Sequence, residues 1–319
     1  MLPHHFRPGR DFRLPMLPDA LLRQLPFQEG RDRAAIGLHA LTPKHWIEPG
    51  ADLLGALALK AKLLDERRDE VLAVSADPSA AASELLAMLV NNLLQFHGDR
   101  FASEDGDLRD RAAGRLWRLR DPDLHPIELA ARLIAEDICL LTKSDRGYVL
   151  SEACVCFPAR WRLKDKIGRN MLAIHAPVPS YASQLAVGVG RFFEALRPGK
   201  MAWRANWSIV DDPTLFQPER PPSAVEVTER NAFEALWLRV ERQSFVQLPE
   251  TGTIVFTIRT YVDRLEEVIG DPVTARNLAS TIRSTPEDVL RYKHILPFAQ
   301  PLLARLDGFR SLQSGMTLD

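Results

Sequence analysis

The sequence predicts an α+β fold in which an antiparallel sheet is preceded and followed by helices. Apolar residues recur at helical spacing before residue 143 and again over 272–308, whereas β-prone segments dominate between 148 and 262. A chain of 319 residues with 46% apolar content is long enough to bury a substantial core. We therefore divide it into a helical N-terminal part, 1–143, and an α+β core with C-terminal helices, 144–319, packed together as one compact unit.

The N-terminal part is predicted to hold two amphipathic helices between irregular segments. Residues 1–30 are rich in proline, so we expect an irregular strap over the body of the protein. Leucines recur at helical spacing over 51–72 and over 79–97, which predicts a helix with one buried face in each segment. Arginines crowd the segment 101–125, which we expect to be an exposed excursion.

A third apolar segment leads into the first predicted strand. Pro126 suits the first turn of a helix, and the apolar run over 126–142 is predicted to continue that helix. Ser144–Gly147 is a turn signal, and residues 148–157 are β-prone with partial alternation. The main strand region is therefore expected to begin after this turn.

The rest of the core is predicted to combine short helices with long strands. The helices are expected over 163–174 and 181–196, and the strands over 201–210, 234–247 and 252–262. The last two strands flank a loop rich in turn formers, so they are expected to form a hairpin. Long antiparallel strands joined in this way fit a small sheet with helices on one face.

Charge and cysteine content argue against several classes of protein. A net charge of −1 argues against a nucleic-acid partner, which would need a basic face. The sequence has no run of about 18 apolar residues and no apolar signal segment at its N-terminus, so no membrane span and no secretion are predicted. Three cysteines do not make a disulfide framework, and Cys154 and Cys156 are expected to be small core residues. Together these features predict a cytoplasmic protein.

The segment 156–179 contains the histidine with the most distinctive surroundings. The predicted strand ends at Pro158, a short amphipathic helix follows, and His175 enters a loop that Pro177 and Pro179 stiffen. A single imidazole on rigid, irregular backbone suits an axial metal ligand or an acid–base group. The same position also suits a histidine that only ends a helix, so the spacing leaves both interpretations open.

Several segments, in the right order, resemble the haem-dependent oxidative N-demethylase alpha-subunit family. The run FPARWRLKDKIGRNMLAIHAPVP carries most of the resemblance, which extends over roughly residues 14–300. The other matching segments are Leu14–Met16, Gly37–Leu38, Ala135–Leu141, Arg204–Trp207, Glu241–Ser244, Leu248–Pro249 and Phe256–Tyr261.

The resemblance implies a fold, an activity and partners. It implies a PAS-like haem-binding core within a larger helical chain. The activity would be the oxygen-dependent removal of an N-methyl group from a small secondary or tertiary amine, with release of formaldehyde. Electrons would come from separate flavin and iron–sulfur reductase subunits.

Within this family, His175 is the predicted axial ligand of the iron of haem b, with His97 and His294 in reserve. Iron ligation favours a neutral imidazole whose other nitrogen is hydrogen-bonded. Cations are expected to bind the haem propionates, because arginine pairs with carboxylates in a bidentate manner. The candidate cations are Lys166, Arg169, Arg204 and Arg259.

Arg204 and Arg259 also have a structural interpretation. Both lie on predicted strands among apolar residues, where a charge needs a partner. That partner could be a propionate, or it could be Glu241 or Asp211 in an internal salt bridge.

Aromatic residues near these arginines could line a pocket for the cofactor or for a small amine. Trp207 lies on the strand of Arg204, and Tyr261 lies close to Arg259. An alkylammonium group would bind such rings by cation–π contact. Each ring could equally fill the core.

The sequence contains no reductase motif of its own. The glycines of Val187–Gly190 fall in a helical stretch and lack the third glycine of a dinucleotide-binding loop, and no cluster-binding cysteine motif is present. Electrons must therefore arrive from a partner if the protein is an enzyme. The alternatives are a non-enzymatic haem sensor or carrier of the same fold, and a member without cofactor in which His175 is structural.

Overall fold

The computed structural model describes residues 37–50, 52–179, 181–220 and 225–314. The predicted strap over 1–30, including Leu14–Met16, lies outside these ranges. No helix in the described ranges is both long enough and apolar enough to cross a membrane.

The centre of the fold is a seven-stranded antiparallel sheet with the order β1-β8-β9-β10-β6-β7-β2. A separate three-stranded sheet has the order β3-β4-β5. In chain order the described strands are β1 (His39–Leu41), β2 (Leu72–Ala73), β3 (Phe101–Glu104), β4 (Asp107–Asp110), β5 (Arg115–Trp117), β6 (Asp137–Ser144), β7 (Gly147–Cys154), β8 (Met201–Val210), β9 (Trp237–Gln247) and β10 (Ile254–Arg264).

Helices lie before, between and after the strands of the large sheet. The α-helices of the described ranges are α1 (Leu53–Glu66), α2 (Arg68–Val71), α3 (Ala80–Phe96), α4 (Pro126–Leu133), α5 (Met171–Ile174), α6 (Ala186–Ala195), α7 (Ala232–Ala235), α8 (Leu265–Val268), α9 (Pro272–Ser284), α10 (Glu287–Tyr292) and α11 (Ala299–Ser314). A π-helical turn, Tyr181–Leu185, leads directly into α6.

The register of β9 and β10 defines two faces of the sheet. Arg242 pairs with Arg259, and Glu241, the adjacent residue, pairs with Thr260. Because successive side chains of a strand point to opposite faces, these two pairs lie on opposite sides of the sheet. We call the side of Glu241 the front face and the side of Arg242 the back face.

The back face is covered along its length by two hydrophobic cores. Leucines of α1 and α3 pack with apolar residues of α4 and with Ile138, Leu140 and Val255 of the sheet. Further along the strands, Trp207 and Tyr261 pack with the C-terminal helices α9 and α11. These two cores hold the helices before and after the sheet against one face.

The front face is covered at one end by α5 and α6. Phe193 of α6 is buried with Phe245 and Ile254 of the sheet, and Met171 and Ile174 of α5 pack against this core only partly buried. Helices therefore lie on both faces, although the sequence analysis expected them on one.

The α+β fold with a large antiparallel sheet is confirmed, and two predicted helices are wrong in extent. The helix expected over 163–174 is reduced to a 3-10 turn, Leu163–Asp165, and the single helical turn α5, Met171–Ile174. The helix that begins at Pro126 ends at Leu133, and residues 137–144 form β6 next to β10. Residues 138–141 are all apolar, and their side chains are buried on both faces of the sheet. A continuous apolar run has no periodicity, so the sequence alone does not distinguish a buried strand from a buried helix.

The other sequence predictions differ from the structure in detail. The segment 101–125 contains the small sheet β3-β4-β5 as well as exposed loops. Strands β1, β2 and β6 belong to the large sheet although they come from residues 1–144. The two-part division at 143 and 144 stays a prediction.

Candidate functional site

The front face carries a polar floor between two covered ends. Arg204 pairs with Gln243, and Asn206 pairs with Glu241, so these four side chains share the face of Thr260. Arg204, Asn206, Glu241 and Gln243 are half-buried, and Thr260 is fully buried. Polar side chains of this kind at the centre of a sheet mark a place where a ligand can lie.

The two ends of this floor are closed in different ways. At one end Arg239 donates from Nη2 to the carbonyl of Phe157 at 2.6 Å, which holds the loop after β7 over the sheet. At the other end Phe245 stacks on Phe256 with ring centroids 5.0 Å apart, and Phe192 of α6 contacts Phe245 edge-on at 5.3 Å. The polar floor therefore adjoins an aromatic wall.

Glu241 is oriented by two amides. Its Oε2 accepts from Asn206 Nδ2 at 3.2 Å and from Gln243 Nε2 at 3.0 Å. Among the described residues no cationic nitrogen forms an ion pair with it. The other carboxylate oxygen, Oε1, is free of hydrogen bonds within the described part of the chain.

Arg204 is a half-buried cation with an unpaired nitrogen. Its Nε is buried and has no hydrogen-bond partner among the described residues. Burial lowers the pKa of Arg204, and the charge of Glu241 opposes that shift. A buried guanidinium without a partner is costly, so an anion at this position would be stabilised.

His175 is held with one nitrogen fixed. It ends α5, whose first turn is capped by the side chain of Asn170. His175 Nδ1 lies 2.9 Å from the carbonyl oxygen of Met171, which makes Nδ1 the donor and Nε2 the basic nitrogen. The ring stacks on Tyr181 with centroids 4.4 Å apart and planes 12° apart.

Lys166 and Arg204 lie close enough to His175 for their positive charges to affect its protonation. Burial is the main cause that lowers the pKa of His175, and the charges of Lys166 and Arg204 lower it further. Lys166 Nζ donates to the carbonyl of Ile174 at 2.5 Å, which anchors the end of α5. Three of the five predicted cofactor-binding residues thus lie within range of one another's charges, and the imidazole is neutral near pH 7.

Arg259 lies apart from this group, on the back face. Its side chain is fully buried and forms an ion pair with Asp52 at 2.5 Å, and the charge of Glu136 also raises its pKa. Arg259 thus forms an internal salt bridge, but with Asp52 rather than with Glu241 or Asp211, the partners that the sequence suggested. Arg169 is exposed near Lys166.

The two predicted pocket aromatics also face the back. Tyr261 hydroxyl donates to Glu48 Oε2, and Trp207 packs in the core of the C-terminal helices. Burial raises the pKa of Tyr261, and the charge of Glu48 raises it further. Neither ring lines the polar floor.

The reserve histidines lie elsewhere. His97 ends α3, and its Nε2 is buried without a hydrogen-bond partner among the described residues. His294 follows α10 with φ 57° and lies near the charges of Arg160 and Arg220. Burial lowers the pKa of both imidazoles.

The Asn206–Glu241–Gln243 network and the stacking partner Tyr181 were not predicted from the sequence. Arg204 and Asn206 alternate along one strand, as do Glu241 and Gln243, so a period of two could have placed each pair on a single face. The cross-strand register that joins the two pairs could not be read from the sequence.

Within the described ranges no three His, Cys, Asp or Glu side chains are grouped as a chelating metal site. Cys154 and Cys156 are buried, as predicted, and Cys139 is buried as well. One family model matches residues 37–303, and its description is "Haem-dependent oxidative N-demethylase, alpha subunit-like".

Proposed function

This chain belongs to the haem-dependent oxidative N-demethylase, alpha subunit-like family, and on that premise we propose that it binds haem b on the front face of the sheet. Its reaction is the oxidative N-demethylation of a small secondary or tertiary amine, with release of formaldehyde. The proposal includes the assignment of the sheet and its front helices as a PAS-like core.

The observation that carries the proposal is the geometry of His175. An imidazole that ligates iron uses one nitrogen for the metal and donates from the other to a fixed acceptor. His175 Nδ1 has that acceptor in the Met171 carbonyl, and Tyr181 fixes the plane of the ring. His175 Nε2 would then be the nitrogen available to ligate the iron.

The cations near His175 fit the acidic edge of a haem. Arg204 has a buried nitrogen without a partner, and a propionate would supply the missing acceptor. Lys166 adds a second positive charge in the same region. Arg259 is not part of this proposed site, because it pairs with Asp52 on the back face.

The aromatic wall fits the apolar body of a haem. Phe192 and Phe256 are half-buried beside the buried Phe245. In α6, whose residues are mostly apolar, Phe193 is the single buried side chain. A flat apolar group on this face would cover surface that the chain itself leaves accessible.

When bound, haem supplies the oxygen activation that oxidises the N-methyl carbon. The chain's own residues bind and orient: His175 stays neutral because burial and two cations lower its pKa, and Arg204 and Lys166 balance the propionate charges. The loop after β7 and helix α6 limit the access of water to the floor between them.

Electron supply is proposed to come from flavin and iron–sulfur reductase subunits. The family description names an alpha subunit, which supports partner subunits. Three buried cysteines are fewer than the four that an iron–sulfur cluster usually takes. Their unpaired thiols also support the proposed cytoplasmic location.

The test is haem reconstitution of the wild type and two histidine variants. We expect the wild type to show a Soret band, and His175→Ala to shift it and weaken haem binding. His97→Ala is the matched control, since His97 also ends a helix, and it should leave the spectrum unchanged. A colourless wild type, or an unshifted spectrum in folded His175→Ala, would contradict the proposal.

A second assay separates an enzyme from a haem sensor or carrier. With added flavin reductase, the haem-loaded chain should release formaldehyde in proportion to the amine consumed. Haem binding without amine-dependent formaldehyde would instead support the sensor or carrier.

A further inference from the structure

We propose that Glu241 is the carboxylate that binds the ammonium group of the substrate on the front face, with the hydroxyl of Thr260 as a second acceptor. This assignment rests on the proposed N-demethylation. It gives a chemical role to a group of residues that neither the predicted haem contacts nor the cores account for.

The first argument is the way Glu241 is held. Two amide groups, from Asn206 and Gln243, fix Oε2 at 3.2 and 3.0 Å. An ionised carboxylate has about four lone-pair positions, so Oε1 keeps its capacity to accept. Neutral amides thus orient the carboxylate, and its other oxygen has no hydrogen bond within the described chain. Glu241 can therefore bind a cation from outside the chain.

The second argument is the buried hydroxyl beside it. Thr260 is fully buried, and its Oγ1 has no hydrogen-bond partner among the described residues. Thr260 pairs directly with Glu241 across β9 and β10, so both side chains lie on the same face at one level. A buried polar group without a partner is unfavourable, and a ligand N–H would remove that cost.

The surrounding cations do not take the place of a ligand. Arg239 donates to backbone carbonyls, the nearest being that of Phe157, and the charges of Glu241 and Asp137 act on it without forming an ion pair. Lys293 Nζ donates to the carbonyl of Trp207, and the charge of Glu241 acts on it without forming an ion pair. Arg204, the remaining cation near Glu241, is the proposed partner of a propionate, so cofactor binding leaves the charge of Glu241 available.

The position suits demethylation because an ammonium must be held beside the cofactor. On the front face, the pair Arg204–Gln243 is the neighbour of the pair Asn206–Glu241. Ile258, which pairs with Gln243 and is nearly fully buried, offers apolar contact to N-methyl groups. Charge would hold the nitrogen while apolar contact orients the methyl group. Glu241 is thus a substrate-binding residue, separate from the haem contacts.

The experiment titrates dimethylammonium chloride into haem-loaded protein by calorimetry, with the Soret difference spectrum as a second readout. Glu241→Gln should weaken binding about tenfold or more, because it removes a charged hydrogen-bond partner, while the Soret band of the resting protein stays unchanged. Glu241→Asp, which keeps the charge, should restore part of the affinity. Glu84→Gln is the control, since Glu84 binds the backbone of Glu250 and Thr251 away from the site.

Two further titrations test the hydrogen bonds. Tetramethylammonium, which has no N–H, should bind the wild type more weakly than dimethylammonium does. In Thr260→Val this difference should become smaller, because only the N–H to Glu241 remains. Thr260→Val should also raise the melting temperature of the haem-free protein, because it removes an unpaired buried hydroxyl. This second readout does not depend on turnover.

The outcomes separate this inference from the proposed function. Equal dimethylammonium affinity in the wild type and Glu241→Gln, or no binding to either, would overturn the role of Glu241. A wild type without a Soret band would overturn the proposed haem site. In that case the same titration in haem-free protein still decides whether Glu241 binds an ammonium.

Discussion

Helices of similar apolar character cover the two faces of the sheet, but they are buried to very different extents. On the back face α1 buries six side chains and α3 buries eight. On the front face α5 buries none, and α6 buries only Phe193 among its described residues. The back face therefore holds most of the buried core, and the helices of the front face leave apolar surface accessible.

The difference follows from what the sheet offers each set of helices. The back face presents Ile138, Leu140 and Val255, against which leucine side chains close-pack. The front face presents a polar floor beside a small aromatic wall, and α5 and α6 contact mainly that wall. Burial of helices thus depends on the opposing surface as much as on their own composition.

The largest expected effect is a core truncation on the back face. Leu89 lies at the centre of α3 with no exposed surface. Leu89→Ala should lower the free energy of unfolding by about 2–5 kcal/mol, measured by urea denaturation, because it removes packed methyl groups and leaves a cavity. Val189→Ala on half-buried α6 is the matched variant and should cost less than about 1 kcal/mol without haem. Equal costs would show that the two faces are packed alike.

The next prediction concerns haem and the front helices. Haem at about 100 times its Kd should add about 2.7 kcal/mol to the free energy of unfolding, because it binds only the folded state. Hydrogen exchange should slow in α5 and α6 while α3 changes little. Slower exchange in α3 but not in α6 would indicate that haem binds at the back face instead.

A smaller effect concerns Lys293, which lies beside the polar floor. Burial lowers its pKa to about 8 from 10.5. Between these values the unfolded chain holds a proton that the folded protein has lost, so stability rises with pH across that window. The free energy of unfolding of the wild type, minus that of Lys293→Met, should increase by about 1–3 kcal/mol from pH 7.5 to 10.5. Parallel pH curves for the two proteins would exclude the lowered pKa.

The smallest effect is expected at the outer side of α6. Val187 is 62% exposed. Val187→Ser should change the free energy of unfolding by no more than about 0.5 kcal/mol, since the side chain makes little buried contact. Chemical denaturation measures it, and a cost similar to that of Leu89→Ala would mean that α6 is packed in solution against a further surface.

The fold and the site were predictable to different degrees. The hairpin of β9 and β10 could be predicted because its residues carry local signals, as could the helix that Ser79 caps. Strand β6 could not, because Ile138 to Leu141 are apolar on both faces and carry no period. Of the five predicted cofactor-binding residues, Lys166 and Arg204 are near enough to His175 for their charges to act on it, whereas Arg259 lies on the back face with Asp52.

By itself the sequence determined the α+β class and the family, because periodicity and motifs are local properties of the chain. The tertiary structure alone decided which arginine faces the candidate site, since a shift of one residue in strand register moves a side chain to the other face. Arg204 and Arg259 both lie on apolar strands, and only the pairing of β8, β9 and β10 separates them. The same pairing brings Asn206, Glu241 and Thr260 to one level, because cross-strand neighbours come from distant parts of the chain.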